Sequence, residues 1–235
     1  MKGSRFANTN GWPDPNEMVT ARDLATVAAA TIRDFPDLYK KFYGQPSFTW
    51  GKTLGDGAAI TQANRNPILG RVAGADGLKT GHTEDAGYGF TGSAVQDGRR
   101  LVMVLAGLSS FNERISASVA FMEWGFNAFG RKLLLKPGQV VGTAKVWMGE
   151  EAEVPLTAAT DLKVTVPRGA ANAVKAKIVY QGPVTAPIAK GAKIAELVVS
   201  VPGFPDTRLP LVAANAVDKA GPFGRIAAAF RALFL

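Results

Sequence analysis

The chain has 235 residues, 47% hydrophobic and 20% charged, the balance of a folded globular protein with room for two domains. It contains no cysteine, which excludes disulfides, thiol catalysis and cysteine-ligated metals. A net charge of +8 favours anionic partners, but no Lys/Arg run interleaved with aromatics marks a nucleic-acid surface, and none is expected. An anionic membrane or cell-wall polymer accounts for the charge equally well. No apolar run reaches the roughly 18 residues that cross a bilayer. Residues 1–6 lack the apolar stretch of a signal peptide. The expectation is therefore either a cytoplasmic protein or one whose true N-terminus is missing.

Residues 5–18 are rich in Asn, Gly and Pro and read as loop. Thr20-Ala21-Arg22-Asp23 opens a helix with Thr20 as N-cap, and Leu24, Val27, Ala28, Thr31 and Ile32 recur at helical spacing as its buried stripe. Pro36 ends it, because proline disfavours the α conformation at Phe35. A short strand pair is expected around Phe48-Thr49-Trp50, and Asn64-Arg65-Asn66-Pro67 is a turn. From Asp76 the pattern changes to three strands, at 78–80, 88–95 and 101–108, the last two joined by a hairpin at Asp97-Gly98. Ser110-Phe111-Asn112-Glu113 is a capping box into a second helix, with Ile115, Val119, Met122, Phe126 and Phe129 on one face and Gly130 as its C-terminal cap.

Beyond Lys136-Pro137-Gly138 the periodicity switches to two. Short strands are expected at 145–148, 162–166, 173–180, 194–199 and 207–212, with lysines alternating on one wet face between Val174 and Ile178. The last segment, 222–235, places Phe223, Ile226, Ala227, Phe230, Leu233 and Phe234 within about 120° of a helical arc. With Arg225 and Arg231 outside that arc it reads as an in-plane membrane anchor, or as a terminal helix docked on the protein's own core. The expected fold class is α+β: an antiparallel sheet with packed helices, then a small all-β domain and a C-terminal amphipathic helix. The corresponding boundaries are 1–135, 136–217 and 218–235.

Lys79-Thr80-Gly81 carries the chemistry. A Lys-Thr-Gly on a strand edge, followed by two hairpin-linked strands and a helix, is one signature of the penicillin-recognising serine acyl enzymes. Asn64-Arg65-Asn66, the run from Asp76 to Thr83, Ala86-Gly87-Tyr88, Arg114 and Trp124-Gly125-Phe126 together resemble the D-alanyl-D-alanine carboxypeptidases, the low-molecular-mass penicillin-binding proteins. Thr20-Ala21-Arg22-Asp23, Ile32-Arg33-Asp34 and Val166-Pro167-Arg168-Gly169 extend the likeness over nearly the whole chain. The resemblance implies a partial transpeptidase-like domain and a serine-type D-Ala-D-Ala carboxypeptidase activity on peptidoglycan stem peptides, with β-lactams as further ligands. It also implies a location at the periplasmic face of the bacterial cytoplasmic membrane, held there by 222–235, and no cofactor or metal.

Carried over residue by residue, Lys79 supplies a cation and Thr80 a hydroxyl to the substrate's terminal carboxylate. Gly81 leaves room for substrate backbone, and the His82 N–H serves an oxyanion hole. Arg114 stands at the carboxylate end, with Arg65 as a second candidate. His82, the sole histidine, shapes the pocket rather than serving a triad. No serine has a lysine three residues on: Ser4, Ser47, Ser93, Ser109, Ser110, Ser116, Ser118 and Ser200 all fail. Catalytic residues are thus expected to be absent from this sequence, and the chain is expected to be inactive alone. Two readings stay open, the C-terminal part of a carboxypeptidase or a non-catalytic, membrane-associated relative that binds peptidoglycan or a protein. An incomplete sheet is also expected to leave an open edge and an uncovered apolar face, with self-association as the consequence.

Overall fold

A computed structural model describes residues 1–224, so the amphipathic segment beyond Gly224 lies outside the described residues. The chain forms two compact units, Met1–Asn127 and Ala128–Leu235.

In the first unit, helix α1 (Ala21–Asp34) starts where Thr20 turns its hydroxyl to accept from the Asp23 backbone N–H at 3.2 Å. Pro36 does stop α1, but it also opens a second short helix, α2 (Pro36–Phe42), because a proline at the first helical position forgoes a bond that no partner would take. A hairpin of β1 (Ser47–Lys52) and β2 (Ala59–Ala63) follows, exposed along most of its length. Strands β3 (Ala75–Thr83), β4 (Gly87–Gln96) and β5 (Arg99–Leu108) then form an antiparallel sheet in chain order. Asp97 and Gly98 both adopt positive φ, 50° and 68°, the conformation of a type I′ turn.

Helix α3 (Phe111–Ala128) begins at the expected box, Ser110 Oγ accepting from the Glu113 N–H at 3.1 Å. The Glu113 carboxylate closes onto Ser109 instead of Ser110, accepting from its N–H and its hydroxyl, and these bonds hold its pKa below the usual carboxylate value. Met122 and Phe126 bury against Phe90, Ala94 and Met103 of the sheet and against Ile68 and Val72, giving this unit its core. Helix α1 packs along β5 and β4 without joining that cluster. Its expected stripe is only half realised, since Ala28 is buried but Val27 is 40% exposed.

The second unit contains β6 (Phe129–Leu135), β7 (Gly142–Trp147), β8 (Glu153–Thr157), β9 (Leu162–Pro167), β10 (Lys175–Val179), β11 (Val184–Thr185), β12 (Lys193–Ser200) and β13 (Thr207–Ala213). Six strands form one sheet in the order β10-β12-β13-β8-β7-β11, while β6 and β9 pair separately. In β9, Leu162, Val164 and Val166 are buried and Lys163 and Thr165 exposed, the alternation of a strand with one wet face. The buried set packs with Leu135, Val154, Leu156, Leu197, Val199 and Leu211 as one core between the two sheets.

Two sequence expectations are corrected here. Phe129 does not extend α3 and Gly130 does not cap it; both begin β6, where Phe129 pairs with Pro167 and Gly130 with Val166. That pairing places 129–135 with the strands of the second unit, which begins at Ala128. The apolar periodicity of α3 continues into Phe129, but the partners of β9 are fixed by contacts far along the chain.

Candidate functional site

Strand β3 pairs with β4 on one side, and no strand among the described residues pairs with its other edge. Successive side chains on a strand leave opposite faces. Leu78, Thr80 and His82 stand opposite Gly92, Phe90 and Tyr88 and share their face, while Gly77, Lys79 and Gly81 take the other. Lys79 and Thr80 therefore diverge, and a group lying along the strand edge is where both can reach. Lys79 bends that way, its ammonium donating to the Thr80 carbonyl. A Cβ placed on Gly81 would meet nothing within 4 Å, so the space over that residue is open.

Arg114 of α3 lies beneath the Thr80/His82 face. It is 4% exposed, donates from Nη1 to the Gly81 carbonyl at 3.4 Å, and has its guanidinium 5.3 Å from the Tyr88 ring and 5.2 Å from the Phe111 ring. Its Nε is buried with no hydrogen-bond partner. Burial lowers the Arg114 pKa, Tyr88 opposes that shift, and the charge of Arg65 adds to it. Arg114 is thus a buried cation close to the Gly81 carbonyl at one end of β3. Arg65 itself is exposed. The His82 ring stacks on Tyr88 at 3.9 Å between centroids and an angle of 32°. Beside it, a recess of about 460 Å³ is lined by His82, Glu84, Asp85, Tyr88, Leu108 and Ser109 among others. Among the described residues no group of three or more His, Asp or Glu is placed to hold a metal ion.

Sequence reasoning missed the residues that hold β3 from behind. Tyr39 of α2 donates to Asp76 Oδ1 at 2.7 Å, and Arg100 of β5 donates to both Asp76 oxygens, at 2.9 and 2.8 Å. Arg100 also donates to the buried Ser93 hydroxyl at 2.6 Å. Burial and the neighbouring Asp76 carboxylate push the Tyr39 hydroxyl well above its usual pKa. The Asn66 side-chain amide donates to the Gly77 carbonyl at 3.0 Å, while its oxygen accepts from the Ile68 N–H. The available signal was an arginine and a serine inside otherwise apolar strands. A cleft of about 640 Å³ opens beside this cluster, lined by Ile32, Pro46, Tyr39 and Arg100 among others.

Gly77 is where this packing admits no side chain, since a Cβ would come 2.3 Å from the Tyr39 hydroxyl and 2.9 Å from its ring. Gly77→Ala is expected to destabilise the first unit by roughly 1–3 kcal/mol through overpacking, measured as a shifted denaturant midpoint. An unchanged midpoint would show that Tyr39 moves aside freely.

Comparison with known proteins bears on the family. Residues 1–110 match the D-alanyl-D-alanine carboxypeptidase family, and 129–219 match the penicillin-binding protein 5 C-terminal domain. The D-alanyl-D-alanine carboxypeptidase DacA of Haemophilus influenzae is 34% identical over 229 residues, 96% of this chain and 56% of that protein. The chain is similar to the D-alanyl-D-alanine carboxypeptidases over nearly its whole length. DacC of Escherichia coli is 33% identical, over 96% of this chain and 55% of its own length. The crystal structures of penicillin binding protein 5 from H. influenzae superpose with a TM-score of 0.74 at 33% identity, covering 92% of this chain and 61% of that one. The chain therefore spans little more than half the length of the curated relatives it matches.

Proposed function

We propose that this chain supplies the substrate-carboxylate wall of a serine-type D-Ala-D-Ala carboxypeptidase acting on peptidoglycan stem peptides. The observation that carries this reading is Arg114, a buried guanidinium with an unpartnered Nε beneath the open stretch of β3 at Gly81. A peptide ending in D-Ala-D-Ala would lie along the β3 edge over Gly81. Its carboxylate would take Thr80 Oγ1, the Lys79 ammonium and the Arg114 guanidinium, with Arg65 adding long-range attraction. The His82 N–H would face the carbonyl under attack, one of the two donors that stabilise the oxyanion. Acyl transfer also needs a serine and a base to activate it. No Ser-x-x-Lys occurs in these 235 residues, so the chain by itself binds without turning over.

β-Lactams belong to the same proposal, as ligands of the wall that form no covalent bond with this chain. The proposed setting is the periplasmic face of the bacterial cytoplasmic membrane, with 222–235 lying in its surface. No described helix is long and apolar enough to cross a membrane. Self-association through the sheet is likewise proposed, supported by the β3 edge that no described strand pairs with.

Titration calorimetry on the purified chain tests the wall. N-acetyl-D-Ala-D-Ala is expected to bind at least about tenfold more tightly than its C-terminal amide, the scale of one charge-assisted hydrogen bond. Equal binding of acid and amide would sink the carboxylate assignment. Fluorescent penicillin is expected to leave the chain unlabelled after denaturing electrophoresis, and stoichiometric labelling would overturn the missing-nucleophile argument.

A further inference from the structure

Between Ala75, which pairs with Ala94, and Gly77, which pairs with Ser93, β3 spends two steps where β4 spends one. Asp76 is the extra residue, so the strand carries a β-bulge immediately before the Lys-Thr-Gly run. The bulge has a consequence for every residue after it. Without it Lys79 would stand opposite Phe90, on the Arg114 face, and Thr80 and His82 would turn away from Tyr88. An extra residue in a ladder is left unpaired and is held only if something outside the ladder takes its side chain. Here the Asp76 carboxylate is taken by Tyr39 and Arg100, and Arg100 is in turn tied to Ser93, the residue opposite Gly77. Tyr39 also closes over Gly77, and Asn66 holds the Gly77 carbonyl.

We infer that Asp76 is a positioning residue: gripped by Tyr39 and Arg100, it fixes the bulge and so sets the phase in which Lys79, Thr80 and His82 face the site. An ion pair a third exposed on both sides adds little stability of its own. What distinguishes this pair is that three elements, α2, β3 and β5, converge on the single extra residue. The importance of the phase rests on reading β3 as a carboxylate wall; the lock itself does not.

The sole histidine is the reporter. His82 lies 3.9 Å from the Tyr88 ring, so its carbon-bound protons sit in that ring's current and give one assignable pair of proton NMR signals. Asp76→Ala is expected to move both signals to the positions of a histidine with no ring beside it, while the Met103 and Met122 methyl signals keep their native dispersion. Asp76→Asn is expected to leave the His82 signals in place, because one oxygen, Oδ1, accepts from both Tyr39 and Arg100 and an amide oxygen can do the same. A destabilising substitution with no positional role would lower the melting point without moving the His82 signals of the folded protein. Unmoved signals in Asp76→Ala overturn the inference, as does equal displacement by Asp76→Asn and Asp76→Ala. If Asp76→Ala loses its methyl dispersion, the double variant Tyr39→Phe, Arg100→Lys is judged in its place, with displaced signals expected. The comparison of acid and amide dipeptides is separate: failure of the acid to bind the unaltered chain would remove the carboxylate wall and leave the phase result standing.

Discussion

Arg114→Met is expected to make the first unit more stable while abolishing the carboxylate binding proposed for it. A buried cation is costly unless it is paired, and no ion pair among the described residues includes Arg114. It has one long hydrogen bond, two aromatic faces and an Nε with no partner. Exchanging a buried charge for an apolar side chain of similar length gains roughly 1–4 kcal/mol where the charge was poorly satisfied. Losing the two ring contacts returns about 0.5–1 kcal/mol each. The net is a stabilisation of about 1 kcal/mol, readable as a higher denaturant midpoint at unchanged slope. Carboxylate affinity should fall by roughly 10- to 100-fold, the scale of a charge-assisted or bidentate contact. Arg114→Lys is expected to lose most of that affinity too, since an ammonium cannot present the planar fork. A lower midpoint in Arg114→Met would mean that the guanidinium is a structural anchor instead of a binding group.

Phe90→Ala is expected to cost the first unit about 3–5 kcal/mol, the range for emptying a fully buried aromatic site. Phe90 is 2% exposed and packs with Met103, Met122 and Phe126, and its ring also fills the space above Gly92. A domain of ordinary stability has only about 5–15 kcal/mol in hand, so this one change takes a large share of it. Backbone amides of β3, β4 and β5 that exchange only on unfolding should then exchange about 10²–10⁴-fold faster. Phe90→Leu, which keeps much of the volume, should cost about 1 kcal/mol. Unchanged exchange in β3 would mean that the wall strand is held without this core.

The local elements were legible because their signals are local. Thr20 and Ser110 cap the two long helices, and Asp97-Gly98 turns the hairpin, because each needs only neighbours within a few residues. The Lys-Thr-Gly strand was found by its own residues, and its extent was underestimated because Ala75, Asp76 and Gly77 lack β-branched side chains. Strand β6 was read as the tail of a helix, since Phe129 keeps the helical period and its partner Pro167 lies far along the chain. The C-terminal amphipathic segment falls beyond Gly224, outside the described residues.

Residue types along the sequence determined the two capped helices, the three-strand run from Asp76 to Leu108, the strand-rich character beyond it, and the resemblance carried by Asp76 to Thr83. The absence of a Ser-x-x-Lys is likewise a property of the sequence alone. Tertiary structure decided how that run is aimed. Nothing local says that Asp76 is an extra residue in the β3–β4 ladder, because a bulge exists only relative to the partner strand. Nor does spacing show that Tyr39, 37 residues before Asp76, and Arg100, 24 residues after it, meet on its carboxylate. Side chains alternate along a strand, so the face that each residue of that run presents was settled by contacts between elements.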